Sequence, residues 1–259
     1  VVTDSRIVAA TIAAGSPIET AGAAWMLHPE QGEASLKAGY DHPFSGYFAG
    51  RGGMLGDVPT DVVSAVFTVF PPEVVKLFWE AGKPVHGAAG GASLYFSQAA
   101  EWAARHLAGV SGLERFAELG EKIIAATPTA GLPLYAGWAA QPRVTDPAGH
   151  AFQVLLILRE LRGSVHLAAV TAAGLTPKEA HLLNTPGNCP NRPGPGPDYA
   201  GLFGWTEPFP DVAHLKGVRD ETEEITNRRM AAIIAAALTP DEAEELAKTA
   251  QAINTKLCG

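Results

Sequence analysis

The chain has 259 residues, of which 47% are hydrophobic and only 18% charged, enough apolar material for a large core and too little charge for a disordered chain. Nineteen Lys and Arg against 27 Asp and Glu give a net charge of −8, so a basic footprint for nucleic acid or an anionic membrane is missing over the whole chain. No apolar run is long enough to span a membrane, and no charged n-region precedes an apolar stretch at the start, so a cytoplasmic protein is expected.

Apolar residues recur at helical spacing almost throughout, and alanine is abundant. The periodicity predicts helices over 4–14, 17–27, 29–38, 43–52, 60–69, 71–81, 84–108, 112–126, 131–140, 147–173, 176–184, 198–205, 219–238 and 240–257. Start signals support several of them. Thr60 precedes Asp61 and an apolar run, while Thr176 and Thr239 each precede a proline and stand three residues before a glutamate. Val66–Phe70 and Val165–Val170 are β-branched enough for short strands, but both lie inside longer helical periods. The expected fold class is therefore all-α.

In chain order, His28, Glu30 and Glu33 are the first group with metal-ligand chemistry. Pro29 followed by acids is also an ordinary helix start, and no HExxH is present, so no metal is expected. Tyr47 and Arg51 follow, one helical turn apart, with Gly50, Gly52 and Gly53 leaving the backbone open to close approach. Neither GxGxxG nor GxxxxGK[ST] occurs, and helix packing is the expected reason for these glycines. Trp25, Trp138 and the other aromatics of the N-terminal part are mostly core candidates, with a minority free to line a pocket between helices.

The helix over 147–173 is the most informative segment. Between Ala151 and Ala173 its formal charges are Arg159, Glu160 and Arg162, so it belongs at the centre of a bundle. Arg159, Arg162 and His166 share one face, and buried guanidiniums must meet anions. Either Glu160 and acids of other helices supply the negative charge, or a ligand does. Gly163 in mid-helix suggests that something passes close to the backbone there.

Residues 185–198, rich in proline and glycine, cannot be helical and read as a surface connector or as a lid over a pocket. They divide the chain into an N-terminal bundle over 1–184 and a smaller helical part over 199–259. Cys189 and Cys258 show neither CxxC nor zinc spacing, and Cys189 reads as a free surface thiol.

The pieces GYFAGRGGMLGDVPTDVVSAVFTVFPPEVV (46–75), AGLPLYAGWAAQP (130–142), LRELRGSVHLAAVTAAGL (158–175) and GWTEPF (204–209), with RDETEEITNRR (219–229), resemble an actinobacterial family of helical proteins. That family is typified by a Streptomyces coelicolor protein, and its members are often labelled helix-turn-helix or MarR-like. The resemblance implies a helical bundle followed by a winged-helix-like C-terminal part, degenerate here because 205–219 is too short and proline-broken for a wing. Members tend to carry histidine in place of Gly22, and a histidine and an aspartate in place of Leu161 and Ser164. Their loss implies a more apolar pocket in this chain.

Three functions are consistent with these residues. The first is a small-molecule-binding protein, a sensor or sequestration protein and a possible homodimer, with an apolar pocket and an anion-holding face of Tyr47, Arg51, Arg159, Arg162 and His166, flanked by Trp25 and Trp138. The second is an enzyme on a partly apolar anion with His166 as acid or base and no cofactor. The third is a DNA-binding regulator, disfavoured because Pro197–Trp205 carries no Lys or Arg to touch phosphates.

Overall fold

A computed structural model of the chain describes residues 3–190, 192 and 194–259, and among these every regular element is helical. In chain order they are α1 (Ser5–Met26), α2 (Pro29–Lys37), α3 (Pro43–Gly53), α4 (Thr60–Val66), α5 (Pro72–His106) and α6 (Leu113–Ala126). There follow α7 (Pro133–Ala139), α8 (Pro147–Ala172), α9 (Pro177–Leu182), α10 (Pro197–Leu202), α11 (Lys216–Ala235) and α12 (Pro240–Cys258). A single 3-10 turn, Ala213–Leu215, leads into α11. The stretch before it contains no strand, so no wing is formed.

The local signals explain most of the boundaries. Thr176 and Thr239 each close a reciprocal capping box, with Glu179 and Glu242 respectively. Asp146 Oδ1 accepts from the Gly149 amide at 2.7 Å and starts α8. Thr60 does not cap its helix. Pro59 holds the N-cap position without a side-chain bond, and the Thr60 hydroxyl donates to Glu80 instead.

Two predicted breaks move. The segments 4–14 and 17–27 are one helix, which continues through Pro17 because both halves are buried against the rest of the bundle. The segments 71–81 and 84–108 also join, and their kink falls at Gly87 rather than at Pro84. Gly87 has φ 68°, a left-handed value that glycine adopts without a Cβ clash.

α8 is the axis of the bundle. Residues Ala151 to Leu158 are buried all round the helix, and α1, α5, α6, α7 and α11 pack on it. Gln153, a buried polar residue in this apolar run, donates to Pro142 O and accepts from Val144 N, fixing the loop before the helix. α1 and α12 lie side by side and run in the same direction. Arg6 near the start of α1 bonds Asp241 and Glu244 near the start of α12, while Thr20 lies beside Cys258 at its end. Among the described helices only α1 is long and apolar enough to cross a membrane, and most of its apolar stretch is buried against these neighbours.

The 185–198 segment corrects the sequence reading. Gly187 lies directly on the Thr20 hydroxyl, Arg192 pairs with Glu19, and Cys189 forms a disulfide with Cys258. The two cysteines stand 69 residues apart, and the packing of α12 along α1 is what brings them together. The connector is therefore a strap fastened to α1 and α12, and neither thiol is free.

The glycines of α3 are there for close packing. A Cβ on Gly50 would meet the Tyr95 ring, on Gly52 the Trp79 ring, and on Gly53 the carbonyl oxygen of Ala88. Gly163 has the opposite surroundings, since nothing stands within 4 Å of an added Cβ, so no tight crossing occurs there. Gly53→Ala is expected to lose about 1–3 kcal/mol, because a backbone oxygen cannot rotate away. Gly163→Ala is expected to gain up to about 1 kcal/mol from helix propensity. Urea unfolding of the two variants checks both signs.

Candidate functional site

Beyond Leu158, one face of α8 is uncovered and forms the floor of a cleft of about 1120 Å³. The cleft is walled by α1 (Gly15, Ser16, Glu19), the end of α4 and the turn after it (Val66, Val69), the start of α7 (Pro133, Leu134), α9 and α11. The strap closes one side with Thr185 and Gly187. This is more room than an ordinary drug-sized ligand needs.

The charged residues on these walls are all arginine or glutamate. Arg51, Arg159, Arg162 and Arg219 face Glu19, Glu160 and Glu223, so the cleft of an acidic protein carries a cation in excess. Arg192, behind Glu19, adds a fifth guanidinium.

A continuous ionic chain runs along the floor. Arg51 is held in a two-pronged pair, Nε to Glu160 Oε1 at 3.1 Å and Nη2 to Oε2 at 2.9 Å. Arg159 Nη1 donates to the same Glu160 Oε1 at 2.9 Å, and its Nη2 lies 3.8 Å from Glu19 Oε1. Arg192 then closes on Glu19 with bonds of 2.9 and 3.2 Å, and gives a further 3.0 Å bond to the Tyr199 hydroxyl. Glu160 has a side chain only 2% exposed.

Burial alone would push both carboxyls up. The facing guanidiniums overcome it and hold both below the usual carboxylate range: Arg51 and Arg159 for Glu160, Arg192 and Arg159 for Glu19. Burial likewise works against the Arg51 charge, but Glu160 outweighs it and the net shift is upward. The chain stays ionised.

Not every donor in it is satisfied. Arg51 Nη1, Arg159 Nε and Arg192 Nε are buried without an acceptor among the described residues. The guanidinium of Arg51 also lies 4.3 Å from the centroid of the Phe67 ring, which shields its face.

Further along α8, Arg162 and His166 turn to α11. Arg162 Nη2 donates to Glu223 Oε2 at 2.7 Å; His166 Nδ1 lies 3.1 Å from the Thr226 hydroxyl and 3.8 Å from Glu223. Burial, ahead of the countervailing charge of Glu223, lowers the His166 pKa, so the imidazole is neutral near pH 7. Small residues of α1 make room for these arginines: Arg159 lies over Gly22 and Arg162 over Gly15.

The expected residues thus divide into two groups. Arg51, Arg159, Arg162 and His166 line one cleft. Tyr47, Trp25 and Trp138 do not; they are buried in the aromatic core, where Trp25 and Trp138 both pack edge-on against Tyr95. Leu161 is buried in the core as well, whereas Ser164 lines the cleft. The absence of a side chain at Gly22 does not make the site more apolar, because Arg159 fills that space.

Glu19, Arg192, Arg219, Glu223 and His181 are wall or anchor residues that the linear reading missed. Glu19 had a usable signal, a lone acid in an apolar helix, the same signal that exposed Arg159 and Arg162. The others lie on mixed-charge or proline-rich segments, where pairing is invisible in one dimension.

The fold and site define an all-α protein with an arginine-rich cleft beside its central helix. A sequence model of a helix-turn-helix family matches residues 12–216, most of the chain, and the chain belongs to that family. No curated protein and no solved structure is significantly similar to it.

The ionic chain makes a direct prediction. Arg51→Met strands Glu160 in part and is expected to cost about 3–5 kcal/mol in urea unfolding. The double variant Arg51→Met/Glu160→Met is expected to cost less than the sum of the two singles, a coupling that a double-mutant cycle measures.

His181 contributes to the pH dependence of stability on the acid side. It stacks on Tyr199 at 4.8 Å and packs against Phe203, and burial lowers its pKa to about 4. The unfolded chain takes up this proton near pH 6.5 and the folded protein only near 4. The contribution is therefore whole above pH 6.5 and is lost as pH falls toward 4, on the order of 3 kcal/mol. His181→Phe is expected to flatten the stability profile between those two pH values, as read by unfolding at successive pH.

Proposed function

We propose that the protein binds a small, partly apolar anion in the cleft between α8, α1, α4 and α11, as a sensor or sequestration protein of its helix-turn-helix family. The resemblance to the MarR-like actinobacterial branch belongs to this reading. The observation that carries it is the presence of buried guanidinium N–H groups without acceptors among the described residues, Arg51 Nη1 and Arg159 Nε, on two arginines that line the cleft floor. Such groups are strong donors for a carboxylate or phosphate oxygen. Val66, Val69, Leu134 and Leu167 give the same cleft an apolar wall, which suits the body of an aromatic or branched aliphatic acid.

The test is a thermal-shift series with aromatic and aliphatic carboxylates, each paired with its neutral amide. The acids are expected to raise the melting temperature in proportion to ln(1 + [L]/Kd) and the amides are not. Arg162→Met should keep the fold, since Glu223 retains Arg219 at 3.7 Å and His166 at 3.8 Å, while weakening the response to acids. A response equal for acids and amides, or none to any anion, defeats the reading.

Two other readings have a specific observation each. His166 lines the cleft in neutral form, the state a general base requires, so turnover of a bound acid would make the protein an enzyme. Membership of a helix-turn-helix family favours a DNA-binding regulator, in which the same cleft would be the effector site. Salt-dependent retardation of duplex DNA at low ionic strength distinguishes that case.

A further inference from the structure

Away from the cleft, three metal-ligating side chains converge from two distant parts of the chain. His28 is the N-cap of α2, Glu30 stands in the first turn of the same helix, and His106 is the last residue of α5. One ligand atom from each lies within 4.8 Å of the others. His106 Nε2 is 2.9 Å from Glu30 Oε1, and His28 Nδ1 is 3.8 Å from that same oxygen. None of the three lines the cleft.

We propose that His28, Glu30 and His106 form a binding site for a first-row divalent transition-metal ion, Zn2+ above all, with the remaining coordination position open to water. Two imidazoles and one carboxylate are a borderline-soft donor set that favours Zn2+, Co2+ or Ni2+ and disfavours Mg2+ and Ca2+, which require oxygen ligands.

The surroundings are those of a held site. Arg105 Nη2 donates to Glu30 Oε2 at 2.6 Å, so the second carboxylate oxygen is already committed and Oε1 is turned toward the imidazoles. Trp102, itself 2% exposed, stacks on the His106 ring at 4.5 Å and meets the His28 ring at 5.5 Å, limiting the rotation of both. Pro29 keeps His28 out of helical geometry and fixes the angle at which its ring enters. About a third of each side chain is exposed, so an ion and its water can reach the cluster from solvent.

Binding exchanges one set of bonds for another. The ion takes the place of the hydrogen bond between His106 Nε2 and Glu30 Oε1, and the neutral imidazole then carries its proton on Nδ1. It also takes His28 Nδ1 from the Glu30 amide, a hydrogen bond already long at 3.2 Å.

The site predicts stoichiometric Zn2+ binding by chelator-treated protein in calorimetry, and visible d–d absorption on adding Co2+, with no response to Mg2+. His106→Gln and Glu30→Gln are each expected to weaken Zn2+ binding by at least about tenfold. Circular dichroism checks that each variant keeps its helicity, and His28→Gln is the substitute should either fail to fold. Wild-type protein without saturable Zn2+ binding would overturn the proposal. So would unchanged affinity in any folded member of the three variants. The anion titration of the cleft is independent of both outcomes, because no residue is shared.

Discussion

The structure depends on a single line of alternating charge, Arg192–Glu19–Arg159–Glu160–Arg51, drawn through an otherwise apolar bundle. Its members come from the strap, α1, α8 and α3, so it joins four segments that the hydrophobic effect alone would hold without a defined register. Buried ion pairs add little net stability, because desolvating both partners offsets most of their attraction. What they do impose is a strict penalty on any arrangement that separates the partners. The line therefore acts as a set of positional constraints on a core whose aliphatic and aromatic contacts are individually tolerant.

The same constraint accounts for the cleft. Ala151 to Leu158 of α8 are surrounded, but the next turns carry the arginines, and neighbouring helices cannot close over them without burying more charge. The wall opens where the guanidiniums begin. Five arginines and three glutamates lie in or immediately behind that opening, in a chain whose overall charge is −8. Charge is thereby gathered in one concave place instead of spread over a surface, with arginine in excess of glutamate.

The strap shows how strongly tertiary context can reinterpret a segment. Proline and glycine exclude helix from most of residues 185–198, and among the described residues helix begins only at Pro197, the first residue of α10. Its reading as a plain surface connector is another matter. Gly187 against Thr20, the disulfide to Cys258 and the Arg192–Glu19 pair fasten it to α1 and α12, making it a wall of the cleft.

By itself the amino-acid sequence determined the all-α class, nearly every helix and the central place of α8, because helical periodicity, caps and apolar runs are local properties of the chain. It also marked Arg51, Arg159, Arg162 and His166, since charge in an apolar helix must be compensated somewhere. Tertiary structure alone decided what compensates it: Glu160 for Arg51, Glu19 for Arg192, and Glu223 for Arg162, across separations of 109, 173 and 61 residues. It likewise placed Trp25, Tyr47 and Trp138 in the core and joined Cys189 to Cys258. His106 was brought to His28 and Glu30 in the same way, by the packing of α5 beside α2. A partner's identity depends on how helices cross in space, and one-dimensional spacing reports only which face of its own helix a residue occupies.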